Sequence, residues 1–219
     1  MPSINRHGDV FVIDLGDGEN RFNDASLDEL ERCLQEVEAA APCGLVTTAR
    51  GKHWSNGLDL EWLARQGEDA PAFLVRVHEL LARVLEIGVP SVAALQGHTF
   101  AAGAMFALAH DDRVMRADRG FFCLPEVDLG LSFTPGMNAL IAARLSPRAA
   151  HEAMTTGRRY GGVDAARAGL VEEAVEEDEV LPRALARAGA VTGKDPGTLK
   201  TIKQRLYRDA LAALRGPHT

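Results

Sequence analysis

A single glutamate in an apolar stretch is the clearest candidate for acid–base chemistry in this chain. Glu126 follows Gly120 to Leu124, which read GFFCL, and it begins the run EVDLGL. A carboxylate among apolar side chains loses hydration, which raises its pKa and lets it act as a general acid or base near neutral pH. The alternative is a surface glutamate at the end of a strand, the commoner setting for an isolated glutamate.

The stretch PSVAALQGHTFAAGAMFALAHD, residues 90–111, combines a strand, a turn and the start of a helix. Ser91 to Leu95 predict a short buried strand, and Gly97 predicts a tight turn before the small residues Ala101 to Ala104. The first N–H groups of a helix lack intrahelical acceptors, so they can hold a phosphate, a carboxylate or a developing oxyanion. Close packing of the helix on the strand explains the same small residues.

A polar loop with two glycines follows the strand predicted over Gly44 to Ala49. The loop covers residues 50–60 and reads RGKHWSNGLDL. Loops at the carboxyl ends of strands are where α/β proteins place ligand sites. The loop is therefore a candidate binding segment, with a plain connection between two elements as the alternative.

The elements that must position these groups alternate between strands and helices. Further strands are predicted at residues 10–15, 113–115, 120–124 and 170–175. A first helix is predicted to begin at a capping box formed by Ser26 and Glu29. Further helices are predicted over residues 72–87, 137–145, 148–155 and 163–168, and from 177 to 214 with a break at 193–197. This order indicates an α/β fold with parallel pairing, followed by a helical C-terminal part.

Composition limits the class of protein. The chain has 219 residues, 46% hydrophobic and 25% charged, with a net charge of −7. The acidic balance argues against a nucleic-acid partner and against an anionic membrane surface. Three cysteines without a C-x-x-C pair fit a reducing compartment, and no signal peptide or membrane-spanning apolar run is present. We therefore expect a cytoplasmic protein.

Several common catalytic motifs are absent from the sequence. Gly16-Asp17-Gly18 follows a strand, but Arg21 occupies the position of the third glycine of a dinucleotide fingerprint. No G-x-S-x-G nucleophile elbow occurs, nor a G-x-x-x-x-G-K-[ST] phosphate loop. No two histidines have metal-ligand spacing beside a carboxylate, so we expect no metal site.

Three motifs, in order, resemble those of the crotonase family, also called the enoyl-CoA hydratase/isomerase superfamily. Residues 55–60, SNGLDL, are similar to its first signature, residues 97–111 resemble its second, and residues 124–130, LPEVDLG, resemble its third. The resemblance extends over most of the chain, about residues 8 to 215. The residues around the third motif look closest to those of Δ3-Δ2-enoyl-CoA isomerases.

This resemblance implies a fold and a ligand. The α/β fold would be a crotonase-like β-β-α superhelix, with a core domain over residues 1–190. A helical C-terminal trimerisation region over residues 191–219 would belong to the same domain unit. The protein would be a homotrimer or a dimer of trimers that acts on an acyl-CoA thioester. CoA would be part of the substrate, and no separate cofactor is expected.

The resemblance also assigns roles to residues. Glu126 would be the catalytic acid–base group, and the N–H groups of Leu58 and Ala102 would form an oxyanion hole for the thioester oxygen. Two preset donors stabilise the enolate charge as the proton next to the carbonyl leaves. The other implied substrate-binding positions are Ser55, Asn56, Gly57, Asp59, Phe100, Gly103, Met105 and Leu129.

One position departs from the hydratases of the family. They carry a second glutamate two residues beyond the position of Gly103, where this chain has Met105. Adding water to a double bond needs one group to activate water and another to handle the C2 proton. One base suffices to carry a proton from C2 of a 3-enoyl-CoA to C4. The sequence thus predicts an enoyl-CoA isomerase of fatty-acid breakdown. The alternatives are thioester hydrolysis, decarboxylation or weak hydration, or a catalytically silent trimer that binds CoA esters or a protein partner.

Overall fold

The larger of two β-sheets forms the centre of the fold. The computed structural model describes residues 1–216, in which the strands of this sheet are β1 Ser3–His7, β2 Val10–Asp14, β3 Gly44–Thr48, β5 Ser91–Leu95, β7 Asp112–Arg116 and β9 Glu173–Val175. Their order across the sheet is β1-β2-β3-β5-β7-β9. β1 and β2 pair antiparallel, and every other neighbouring pair is parallel.

Both faces of the central strands are buried. β3 and β5 are buried at every position, as expected for inner strands of a parallel sheet. On one face, Val46 and Val92 pack with helix α8 (Glu177–Gly189); on the other, Leu45 and Ala93 belong to the main core. The near absence of charge in these strands follows from this double burial.

A second, smaller sheet contains three short parallel strands. They are β4 His53–Ser55, β6 His98–Phe100 and β8 Phe122–Cys123, in the order β4-β6-β8. This sheet carries the segments in which the sequence analysis found candidate chemistry.

Helices connect most of the strands and form the C-terminal part. Besides α8, they are α1 Asp24–Ala39, α2 Leu60–Ala64, α3 Ala70–Glu86, α4 Ala102–Ala109, α5 Pro135–Arg144, α6 Pro147–Thr156, α7 Gly162–Ala168, α9 Pro196–Leu206 and α10 Arg208–Arg215, with a 3-10 turn at Gly67–Asp69. No helix within residues 1–216 is long and apolar enough to cross a membrane.

The predicted class, α/β with parallel pairing, is confirmed. Three strands were not predicted from the sequence. β1 is polar and mostly exposed, and β4 and β6 have only three residues each. Such short or polar segments show too little alternation of apolar and polar residues to indicate a strand. The loop predicted over residues 50–60 therefore contains β4, and the turn predicted at Gly97 leads into β6.

The start of α1 is also corrected. The predicted N-cap was Ser26 with Glu29 as its partner, whereas the structure has Asn23 as N-cap and Ser26 as its partner. The Asn23 side chain accepts from the Ser26 N–H at 3.0 Å, and the Ser26 hydroxyl accepts from the Asn23 N–H at 2.9 Å. Asparagine caps a helix as well as serine does, so the helix begins one turn earlier.

The C-terminal helices are fixed to the rest of the chain by charged side chains. The Lys203 ammonium on α9 donates to Asp111 at 2.7 Å and to the Val89 carbonyl at 3.1 Å, with the lysine only 5% exposed. On α10, Arg215 pairs with Glu79 and Glu86 of α3. The predicted break before the last helices is confirmed, but it lies at residues 190–195 rather than 193–197, since Pro196 and Gly197 already belong to α9. A further break separates α9 from α10 at Tyr207.

Candidate active site

The small sheet brings the three sequence motifs to one place. Ser55 on β4 pairs with Thr99 on β6, and Phe100 on β6 pairs with Cys123 on β8. Because the three strands are parallel, their carboxyl ends lie at the same edge. The segments 56–59, 101–104 and 124–129 all leave the sheet at that edge, so they become neighbours although they are far apart in sequence.

The first segment presents a backbone N–H whose direction is fixed. The carbonyl of Gly57 accepts from the Phe22 N–H at 2.7 Å, and the Asp59 N–H donates to the Phe22 carbonyl at 3.0 Å. The Gly57–Leu58 peptide is planar and trans, so its N–H points opposite to the Gly57 carbonyl. The Leu58 N–H therefore points away from Phe22.

The second segment presents the N-terminus of α4. Its first intrahelical hydrogen bond runs from the Met105 N–H to the Ala101 carbonyl at 3.1 Å, so the N–H groups of Ala102 to Ala104 precede it. Ala101 has φ 52° and ψ −128°, a conformation that side chains with a Cβ rarely adopt. Its N–H donates to the Cys123 carbonyl at 3.1 Å. Strained backbone of this kind is concentrated at functional sites.

The two segments touch each other through glycines. A Cβ on Gly57, whose φ is +77°, would lie 2.8 Å from the Ala102 nitrogen. A Cβ on Gly103 would lie 2.6 Å from the Ser55 carbonyl oxygen. Close packing, the alternative explanation for the small residues at the start of α4, is therefore present. This packing places the loop that contains Leu58 against the nitrogen of Ala102. Two adjacent backbone donors can bind one oxygen that carries developing negative charge.

Glu126 is the titratable group that follows β8 at this edge. It is 7% exposed, and its Oε2 atom has no hydrogen-bond partner among residues 1–216. Burial raises the pKa of Glu126 from 4.5 to about 7. A carboxyl with this pKa exchanges a proton readily at neutral pH, which is the property of a general base. The surface setting considered as its alternative does not apply to a side chain this deeply buried.

The other predicted site residues lie around these groups. Ser55 is fully buried, and its hydroxyl donates to the Asn20 carbonyl at 2.7 Å and accepts from the Gly57 N–H at 3.2 Å. The Asn56 N–H donates to the Glu19 carbonyl at 3.0 Å. Asp59 is the N-cap of α2 and accepts from the Trp62 N–H.

The remaining predicted positions differ in exposure. Met105 is 1% exposed within the main core, and Phe100 is half-buried against His98. Leu129 is 53% exposed on the turn that follows Glu126, where Val127 and Leu131 are also exposed. The structure thus gathers the backbone groups and Glu126 at one edge and leaves an apolar rim beside the carboxylate.

The segment that holds the first loop could not be recognised in the sequence. Residues 19–22 donate to or accept from residues 53–59 at several backbone and side-chain atoms, with Asn20 and Phe22 making most of these contacts. The glycine-rich run GDGEN signals only a turn, because these contacts join residues that are more than 30 positions apart. No group of three or more His, Cys, Asp or Glu side chains in the described part of the chain is arranged to hold a metal ion.

Burial of Glu126 predicts a pH-dependent cost in stability. Between pH 4.5 and about 7 the folded state keeps the Glu126 proton that the unfolded state has lost, so stability falls as pH rises through this window. Glu126→Gln removes the titration, and we expect it to raise the free energy of unfolding by about 3 kcal/mol near pH 8, with little effect near pH 4.5. Thermal unfolding of both proteins at the two pH values measures this. An equal difference at both would contradict it.

Comparisons with known proteins find a matching family and similar structures. The sequence model of a family described as enoyl-CoA hydratase/isomerase matches residues 5–216. Enoyl-CoA delta isomerase 2, peroxisomal, of Arabidopsis thaliana is 36% identical over 190 residues, which cover 82% of this chain and 79% of that protein. Enoyl-CoA delta isomerase 3 of the same plant is 35% identical, covering 94% and 92%. The solved apo structure of an enoyl-CoA isomerase of Mycobacterium tuberculosis has a TM-score of 0.89 at 28% identity, covering 98% of this chain and 94% of that one.

Proposed function

Because this chain belongs to the enoyl-CoA hydratase/isomerase family, we propose that it moves the double bond of a 3-enoyl-CoA thioester to the trans-2 position. The observation that carries this proposal is the buried carboxyl of Glu126, with a pKa of about 7 and an Oε2 atom that has no hydrogen-bond partner among residues 1–216, at the same sheet edge as two adjacent backbone donors. The names of the two plant relatives, both isomerases, support it.

The proposed reaction needs one base and no other reactant. The thioester oxygen accepts hydrogen bonds from the N–H groups of Leu58 and Ala102. Ionised Glu126 takes a proton from C2, and the electron pair of that C–H bond delocalises into a dienolate whose charge rests on the thioester oxygen. The same proton then returns from Glu126 to C4, the double bond moves to C2–C3, and the carboxylate is restored.

Met105 is the second reason to favour isomerisation over hydration. Its thioether is 1% exposed and surrounded by apolar side chains, and it can neither accept a proton from water nor supply one. With Met105 at this position, Glu126 lacks the second carboxylate that the hydratases carry there to share the activation of water and the handling of the C2 proton. A dry environment also protects the dienolate from protonation by solvent.

The remaining expectations from the sequence belong to this proposal. The substrate is an acyl-CoA thioester, and CoA enters and leaves as part of it, so no separate cofactor is required. Assembly as a homotrimer or a dimer of trimers and a cytoplasmic location stay predictions from the sequence. One of the plant relatives is named as peroxisomal.

An ultraviolet assay with purified protein and a medium-chain 3-enoyl-CoA tests the function. Conjugation of the double bond with the thioester raises the absorbance, and we expect a product of unchanged mass that is the trans-2 isomer. A product heavier by one water would indicate hydration, and release of free CoA thiol would indicate hydrolysis. Either result, or no reaction despite binding of the CoA ester, would overturn the isomerase proposal.

A further inference from the structure

Asn20 holds the loop that carries the candidate donor Leu58. Its side-chain Nδ2 donates to the carbonyls of Trp54 at 3.0 Å and His53 at 3.2 Å. Its own carbonyl accepts from the Ser55 hydroxyl at 2.7 Å. One residue of the segment before α1 therefore contacts three consecutive residues of β4.

These contacts continue to the peptide that carries the donor. The Ser55 hydroxyl, held by Asn20, accepts from the Gly57 N–H at 3.2 Å. Gly57 is in turn held at its carbonyl by the Phe22 N–H at 2.7 Å. The peptide nitrogen on one side of Gly57 and the carbonyl on the other are thus both fixed by the segment 20–22, and the direction of the Leu58 N–H follows from them.

The backbone of Asn20 is itself unusual. Among the non-glycine residues of the described chain, only Asn20 and Ala101 have a positive φ, of 50° and 52°. Ala101 directly precedes the candidate donor Ala102. Asn20 is linked to the candidate donor Leu58 through Ser55 and Gly57. Asparagine tolerates a positive φ better than most residues and also brings two amide N–H groups, whereas glycine brings the conformation without the donors.

We propose that Asn20 is a positioning residue of the oxyanion site, which fixes the orientation of the Leu58 N–H through Ser55 and Gly57. This inference rests on the proposed function, because it gives the Leu58 N–H the task of stabilising the enolate oxygen. A donor aimed at the position of the developing oxyanion contributes to the rate mainly in the transition state. Loosening it therefore lowers kcat more than it raises KM.

The variant that isolates the side chain is Asn20→Gly. Glycine accepts the positive φ without strain and keeps the carbonyl that binds Ser55. Only the Nδ2 hydrogen bonds are lost, to the carbonyls of His53 and Trp54 and, at 3.4 Å, of Gly16. We expect kcat for a 3-enoyl-CoA to fall about 10- to 50-fold with KM changed by less than about threefold, a partial loss relative to removal of a whole donor. Asn20→Asp, which keeps the size and replaces the amide donors by a carboxylate, is expected to lower kcat at least as much.

The matched control is Asn23→Ala. Asn23 lies three residues away and caps α1, so its loss lowers the melting temperature without touching the loop that holds Leu58. We expect Asn23→Ala to keep the wild-type kcat. If kcat falls in both variants in proportion to their loss of melting temperature, Asn20 has only a structural role and the inference is overturned.

A spectroscopic readout separates orientation of the donors from catalysis. The CoA thioester of cinnamic acid is conjugated and has no C4 hydrogen to be moved, and hydrogen bonds to its carbonyl shift its ultraviolet absorption to longer wavelength. We expect this shift on binding to the wild type, to Glu126→Gln and to Asn23→Ala, and a smaller shift for Asn20→Gly at saturating ligand.

The two proposals fail in different ways. A wild type that isomerises 3-enoyl-CoA, together with an Asn20→Gly variant of unchanged kcat and unchanged spectral shift, would overturn the role of Asn20 and leave the function standing. A wild type that shifts the cinnamoyl spectrum but does not isomerise 3-enoyl-CoA would overturn the function, and a smaller shift in Asn20→Gly would still support the positioning role.

Discussion

Glu126→Gln is expected to lower kcat for isomerisation of a 3-enoyl-CoA by at least about 10³-fold, near the upper range for removal of a general base. Glutamine has the size of glutamate but cannot take the C2 proton, and no second titratable group is available at the position of Met105. Substrate binding should change little, because the proposed contacts to the thioester oxygen are backbone N–H groups. The ultraviolet assay gives kcat and KM directly.

Asp128→Asn is the control for this experiment. Asp128 lies two residues from Glu126 but is exposed, whereas Glu126 is buried. We expect Asp128→Asn to retain more than about half of the wild-type activity, as is usual for a surface substitution. Activity that survives in Glu126→Gln and disappears in Asp128→Asn would show that Asp128, and not Glu126, is the base.

Gly57→Ala should be the second most damaging change, with kcat reduced about 10²- to 10³-fold, the range for loss of one oxyanion donor. The added methyl group would lie 2.8 Å from the Ala102 nitrogen and 3.1 Å from the Ala101 Cβ, so the two loops must separate. Separation moves the Leu58 and Ala102 N–H groups apart, and a single oxygen can then no longer accept from both. Steady-state kinetics and the spectral shift of the bound cinnamoyl thioester measure the two consequences.

Gly169→Ala controls for the backbone strain in this variant. Gly169 has φ +76°, nearly the value of Gly57, but a Cβ there would have nothing within 4 Å. Both variants carry the cost of a positive φ, about 1 to 2 kcal/mol, and only Gly57→Ala adds the clash. Equal losses of activity in the two variants would show that general destabilisation, rather than the position of the donors, accounts for the effect.

The part of the fold that depends on local pattern could be predicted. The buried strands such as Ser91–Leu95 and the apolar run before Glu126 are continuous in sequence, so their burial and the raised pKa of Glu126 follow from neighbouring residues. The crotonase-like fold predicted from the three motifs is confirmed by the superposition on the mycobacterial isomerase.

The part that depends on long-range hydrogen bonds could not be predicted. β4 and β6 exist because they pair with each other and with β8, and three residues carry no periodicity of their own. Asn20 is 34 positions from Trp54, so nothing near either residue in the sequence indicates their contact. The N-cap at Asn23 was missed for a different reason, because two good capping residues stand three positions apart and the pattern does not choose between them.

The proposed donors of this site belong to the main chain, which inverts the usual relation between importance and tolerance to mutation. At residue 58 the N–H proposed to bind the substrate oxygen is present whatever the side chain, so several apolar residues could replace Leu58 without loss of the donor. Gly57 itself supplies no group to the substrate, yet there is no room for even a methyl group on its Cα. A complete substitution scan of the loop and of the segment before α1 should therefore single out Gly57 and Asn20 and show little effect at Leu58, the residue whose N–H is the proposed donor.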